Sequence, residues 1–154
     1  MKRLHFDMDN VLVDFASGIA KLDAKTASKY EGRLDDVLGI FALMEPIPGA
    51  IESVHLLAKK YDVFIFFYNT LEQSFCLADK VACVTKYFDD VFHKCLILSH
   101  NKDLLKGDYL IDARLKHGAD TFDGERIQFY SKHFPDWAPV VEYLSPKQLN
   151  NIEF

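Results

Sequence analysis

The chain has 154 residues, 49% hydrophobic and 27% charged, with a formal net charge of −5. That is the length of one domain with a core of its own, and its hydrophobicity excludes disorder. The acidic balance gives no general grip on a nucleic-acid polymer, and apolar runs of about ten residues fall short of the ~20 needed to cross a bilayer. Lys2 and Arg3 lead into Asp7 and Asp9 rather than an apolar stretch, so no secretory leader is expected. Cys76, Cys83 and Cys95 are odd in number and form no C-x-x-C pair, which points to a reduced, cytoplasmic setting.

Leu4 to Val13 reads as a buried strand interrupted by acids. Residues 16–45 are more polar and helical in texture, a small insert after the first strand. Pro46 to Gly49 is a turn that restarts the chain into a helix over Ala50 to Lys60, with apolar residues at Ile51, Val54, Leu57 and Ala58. Val63 to Tyr68 is a short β-branched and aromatic run, as in a central strand. Leu71 to Phe88 has helical spacing. Cys95 to Leu98, Tyr109 to Ile111 and Ile127 to Tyr130 read as further strands, and Asp136 to Leu144 as a terminal helix in which Trp137 is a packing anchor. Strands alternating with helices predict a mostly parallel sheet covered on both faces, with the site beyond the carboxyl ends of its strands.

The chemistry concentrates where those strands end. Asp7 and Asp9 stand two apart where an apolar run stops, so both can face one crevice, one as nucleophile or metal ligand and the other as general acid and base. Asp7, Lys102 and Asp112 all end predicted strands or follow them closely, and should converge at one sheet edge.

These residues carry a family resemblance. The opening F-D-M-D-N-V-L-V-D-F is similar to the first motif of the haloacid-dehalogenase-like (HAD) phosphatases. The continuation resembles their 5'(3')-deoxyribonucleotidase branch through five segments in the right order: Pro46 to Ala50, Tyr61 to Ile65, Lys86 to Phe88, Leu98 to Lys102 and Gly107 to Asp112. The resemblance covers roughly residues 4–115. It implies a three-layer α/β domain over residues 1–154, with residues 16–45 as a small helical cap. It also implies Mg²⁺-dependent hydrolysis of nucleoside monophosphates through an aspartyl-phosphate. Asp7 would be the nucleophile and Asp9 the acid and base, with its backbone carbonyl also on the metal. Lys102 would neutralise charge, and Phe15 would lie over the nucleobase. Asp7, Asp9 and Asp112 would be the metal-binding positions. A solvated surface lysine is the alternative reading of Lys102.

Two motifs depart from the family pattern. The second needs a Ser or Thr at the end of the central strand to hydrogen-bond the phosphoryl group, and here Phe67 or Tyr68 falls in that place. Thr70 could serve only if the loop bends back. In the fourth motif, Ala113 stands where the family has its direct metal ligand, so Mg²⁺ binding should be weak or absent. Phe67, Tyr68 and Asn69 make the site more aromatic. Two expectations follow: an impaired nucleotidase, or a degenerate or engineered scaffold whose former site binds a small aromatic molecule or runs metal-free chemistry. Cys76 and Cys83 share a helix face and read as core. Cys95 could form a thiol–imidazole pair with His93, which at i, i+2 would share its strand face, or with His100. No histidine spacing suits zinc, and no Gly-rich phosphate loop is present.

Overall fold

The computed structural model describes residues 1–68 and 76–145. Among these, five strands form the main sheet: β1 (Arg3–Asp7), β4 (Asp62–Phe67), β5 (Leu96–Leu98), β6 (Tyr109–Asp112) and β7 (Glu125–Gln128). Their order is β5-β4-β1-β6-β7 and every neighbouring pair is parallel. A separate antiparallel ribbon pairs β2 (Val13–Asp14) with β3 (Glu45–Pro46).

Strand periodicity sorts the apolar side chains to two faces. Leu4, Phe6, Val63, Ile65, Phe67, Ile111 and Ile127 enter the larger core. That face is covered by α4 (Ala50–Leu57), α5 (Cys76–Phe88) and α6 (Trp137–Leu144), which contribute Val54, Leu57, Val84, Phe88, Trp137 and Val140. Phe66 and Leu110 face the other way, onto Leu105, Ala119 and Phe122. That layer is thin, built on 3₁₀ turns at Lys102–Leu104 and Ala119–Thr121. The connections 99–108 and 113–124 are short for the crossover helix that parallel strands usually carry.

The insert holds α1 (Phe15–Ile19), α2 (Ala24–Lys29), a 3₁₀ turn at Leu34–Asp36 and α3 (Ile40–Leu43). Asp14 and Asp23 cap the first two helices by accepting from the Ala16 and Thr26 amides. The β2–β3 ribbon joins the insert's two ends, and its Ile40, Phe41 and Met44 belong to the larger core.

Several boundaries differ from the sequence reading. The first strand stops at Asp7, because Asn10 adopts φ 59° and the Leu12 amide bonds back to the Met8 carbonyl at 2.9 Å. Asn tolerates that left-handed conformation better than most side chains. The last strand begins and ends two residues earlier than Ile127 to Tyr130. β5 starts at Leu96, so His93 lies in a turn before it and the expected strand pairing of His93 with Cys95 does not form. Residues 71–75, placed in a helix by their pattern, lie outside the described residues.

Candidate active site at the carboxyl edge

Asp7 ends β1, Asp112 ends β6, and Lys102 opens the 3₁₀ turn after β5. Parallel neighbours bring these ends together. The Lys102 Nζ donates to Asp7 Oδ2 at 3.3 Å and also to Asp112 Oδ2. Lys102 is only 2% exposed and Asp112 0%, which overturns the surface-lysine alternative. The Arg114 amide donates to Asp112 Oδ1, and the Lys102 amide to the His117 carbonyl, so backbone bonds hold both charged groups in place. Burial pushes the Asp7 carboxyl up to about 7. Lys102 opposes that rise, and Asp112 and Asp9 add to it.

Asp9 sits in the turn beyond β1. Its Oδ2 is 3.7 Å from the Nζ of Lys80, and its buried Oδ1 has no hydrogen-bond partner among the described residues. Lys80 lies on the buried face of α5 with Cys76, Cys83, Val84 and Phe88. Its side chain is 5% exposed, its Nζ donates to the Tyr68 carbonyl at 2.9 Å, and it stands 4.5 Å from the centre of the Phe41 ring. The sequence reading missed this residue. The available signal was a lysine at an apolar position of a helical stripe, four residues after Cys76.

A cleft of about 430 Å³ is lined by Asp9, Asp35 and Lys80 together with Phe15, Phe41, Tyr68, Arg114 and His117. Phe15 and Phe41 pack 6.4 Å apart, and Tyr68 stacks on His117 at 3.7 Å. Phe15 and Tyr68 thus line this cleft. Phe67 does not: it is fully buried in the larger core. Asn69 and Thr70 lie outside the described residues. Arg114 and His117 were not foreseen, because the segment after β6 carries no motif beyond the Asp112 it follows. His117 is held below its ordinary range by burial and by Lys102, Lys116 and Arg114. Cys76 and Cys83 are buried as expected, and burial pushes the Cys83 thiol up to about 11, far from a nucleophile. Among the described residues no group of three or more His, Cys, Asp or Glu side chains is arranged to hold a metal ion.

A parallel sheet carrying an aspartate at the end of its central strand, with lysine and aspartate converging on it, defines a HAD-like hydrolase fold. Solved structures agree. A HAD hydrolase of Bacillus subtilis, whose structure was solved bound to magnesium, superposes with TM-score 0.64 at 12% identity, over 94% of this chain and 98% of its own. A haloacid-dehalogenase-like protein of Streptococcus pneumoniae gives 0.56 at 13%, over 93% and 90%. The family model described as 5' nucleotidase, deoxy (pyrimidine), cytosolic type C matches residues 29–141. A protein of Vibrio phage KVP40 named as a 5'(3')-deoxyribonucleotidase is 46% identical over 142 residues, 92% of this chain and 84% of that one. The human mitochondrial 5'(3')-deoxyribonucleotidase is 32% identical over 141 residues, 73% of this chain and 62% of its own. The chain belongs to the 5'(3')-deoxyribonucleotidase family of HAD hydrolases.

Proposed function

We propose that the chain hydrolyses small phosphomonoesters of the nucleoside monophosphate class, slowly and without tightly held Mg²⁺. The observation that carries this is the buried convergence of Asp7, Lys102 and Asp112 near Asp9, which itself lines an aromatic cleft. An Asp7 oxygen attacks phosphorus, and the ester oxygen leaves with a proton from Asp9. Asp9 then takes a proton from water, which attacks the aspartyl-phosphate to release inorganic phosphate and regenerate Asp7. Lys102 offsets the charge on Asp7 and the phosphoryl group. Residues 16–45 act as the cap, and its Phe41, with Phe15 just before it, lies along the bound base. Free thiols among the described residues suit a cytoplasmic setting, and none of the described helices is long and apolar enough to cross a membrane.

The resemblance assigns Mg²⁺ to Asp7, Asp9 and Asp112, and the donor set does not fit that ion. Mg²⁺ demands near-octahedral oxygen ligation. Asp7 and Asp112 each commit an oxygen to the Lys102 ammonium, and Ala113 offers no side-chain oxygen.

Turnover of a chromogenic phosphomonoester should be slow, abolished by Asp7→Asn and little changed between EDTA and Mg²⁺. Turnover that survives Asp7→Asn, or none with any monoester, would sink the reading. A second reading, a pocket for flat aromatic molecules, is favoured by the Tyr68–His117 stack facing Phe15 and Phe41. Its sign would be measurable binding of aromatic compounds lacking phosphate.

A further inference from the structure

Lys80 is a buried cation that the reaction as described does not use. Its ammonium has three donors. One goes to the Tyr68 carbonyl, and Asp9 at 3.7 Å is an ion-pair neighbour beyond direct hydrogen-bond reach. Among the described residues the group thus retains donor capacity in the lining of the cleft, which Asp9, its Oδ1 without a partner among those residues, also lines. The Phe41 and Phe67 rings, 4.5 and 5.9 Å from Nζ, exclude water from its flanks and hold a cation by their π-faces. A lysine here is not explained by packing, since a methionine would fill the same stripe of α5 without the cost of burying charge.

Charge in the site makes the need explicit. Three carboxylates, Asp7, Asp9 and Asp112, stand against two ammonium groups, Lys102 and Lys80, and Asp35 adds a further acid to the cleft lining. Lys102 already answers both Asp7 and Asp112, so its single charge offsets an entering phosphoryl dianion only in part and a second cation is needed. Phe67, at the end of the central strand, is buried in the larger core and offers no donor.

We propose that Lys80 is a second phosphoryl-binding residue of this site beside Lys102, taking non-bridging oxygens of a phosphomonoester next to Asp9 with no divalent ion needed. The proposal rests on the phosphohydrolase reading and names a group that recognises its substrate. Arg114, at the mouth of the same cleft, adds a solvent-exposed positive charge along the entry path.

The test is calorimetric titration of the full chain with inorganic phosphate, in EDTA and in Mg²⁺. The unmodified chain should bind phosphate equally in both. Lys80→Met should weaken binding about 10- to 100-fold, the usual worth of a hydrogen bond to a charged group, and Lys80→Arg should restore most of it. Circular dichroism melting confirms that each variant is folded. If phosphate binds only with Mg²⁺, the proposal falls whatever the variants do. If Lys80→Met binds as tightly as the unmodified chain, Lys80 is not a ligand, while the phosphohydrolase reading stands. Absence of phosphate binding in either buffer would overturn both.

Discussion

Asp7 is held above the ordinary carboxylate range because its end of β1 is buried, and Lys102 only partly compensates by sharing its charge with Asp112. Two consequences follow. As the proposed nucleophile Asp7 must be ionised, so turnover should rise with pH along an acid limb near 7. Stability should move the other way. A carboxyl with a pKa of about 7 folded and near 4 unfolded binds protons better in the folded chain, so its contribution falls as pH rises through that window. Above pH 7 the full cost of a buried carboxylate is present. Asp7→Asn should therefore stabilise the chain at pH 8 by roughly a few kcal/mol. The gain should shrink to nothing near pH 4. Urea titrations of both chains at several pH values measure it, and a variant less stable than the parent at pH 8 would contradict the assignment.

At the scale of the strand, β4 shows why the second motif cannot be repaired by one residue. Ile65 and Phe67 point into the larger core and Phe66 to the opposite face. Phe67→Thr should leave a cavity and a buried hydroxyl, costing about 3–5 kcal/mol as for other aromatic truncations, with no gain in turnover. A lowered urea midpoint beside an unchanged rate is the expected pair of results. Much of this arrangement was legible beforehand. The apolar run of β4, the acids at the end of β1 and the helical stripe of α6 each carry a local period that packing had no reason to override. The convergence of Asp7, Lys102 and Asp112 followed from parallel topology. What escaped was set by contacts distant in sequence. Lys80 belongs to a helix that reads as core, and only its placement against Asp9 and Tyr68 reveals a site residue. Phe67 looked like a cleft residue because its side of the strand is decided by register, one residue either way.

For the molecule as a whole, the site and the core are one body: Ile40, Phe41 and Met44 of the insert share a hydrophobic cluster with β1, β4 and α6. A ligand in the cleft should therefore raise the melting temperature of the entire chain, by mass action. Mg²⁺ alone should leave it unchanged in the parent. In Ala113→Asp, which adds a carboxylate next to Asp112, Mg²⁺ should raise it, and thermal melts with and without the ion compare the two. A shift of several degrees in the parent would mean that another acid supplies the missing ligand.

Trp137 is the chain's only tryptophan, fully buried, and its Nε1 donates to the Val11 carbonyl at 3.0 Å, in the turn that carries Asp9. The molecule thus has a built-in optical probe wired to the turn of its candidate site. Its emission should be blue-shifted in the native state and move red on denaturation. Because the indole is tied to this turn, its quantum yield offers a label-free signal for following cleft occupancy in a stopped-flow instrument, without adding a dye.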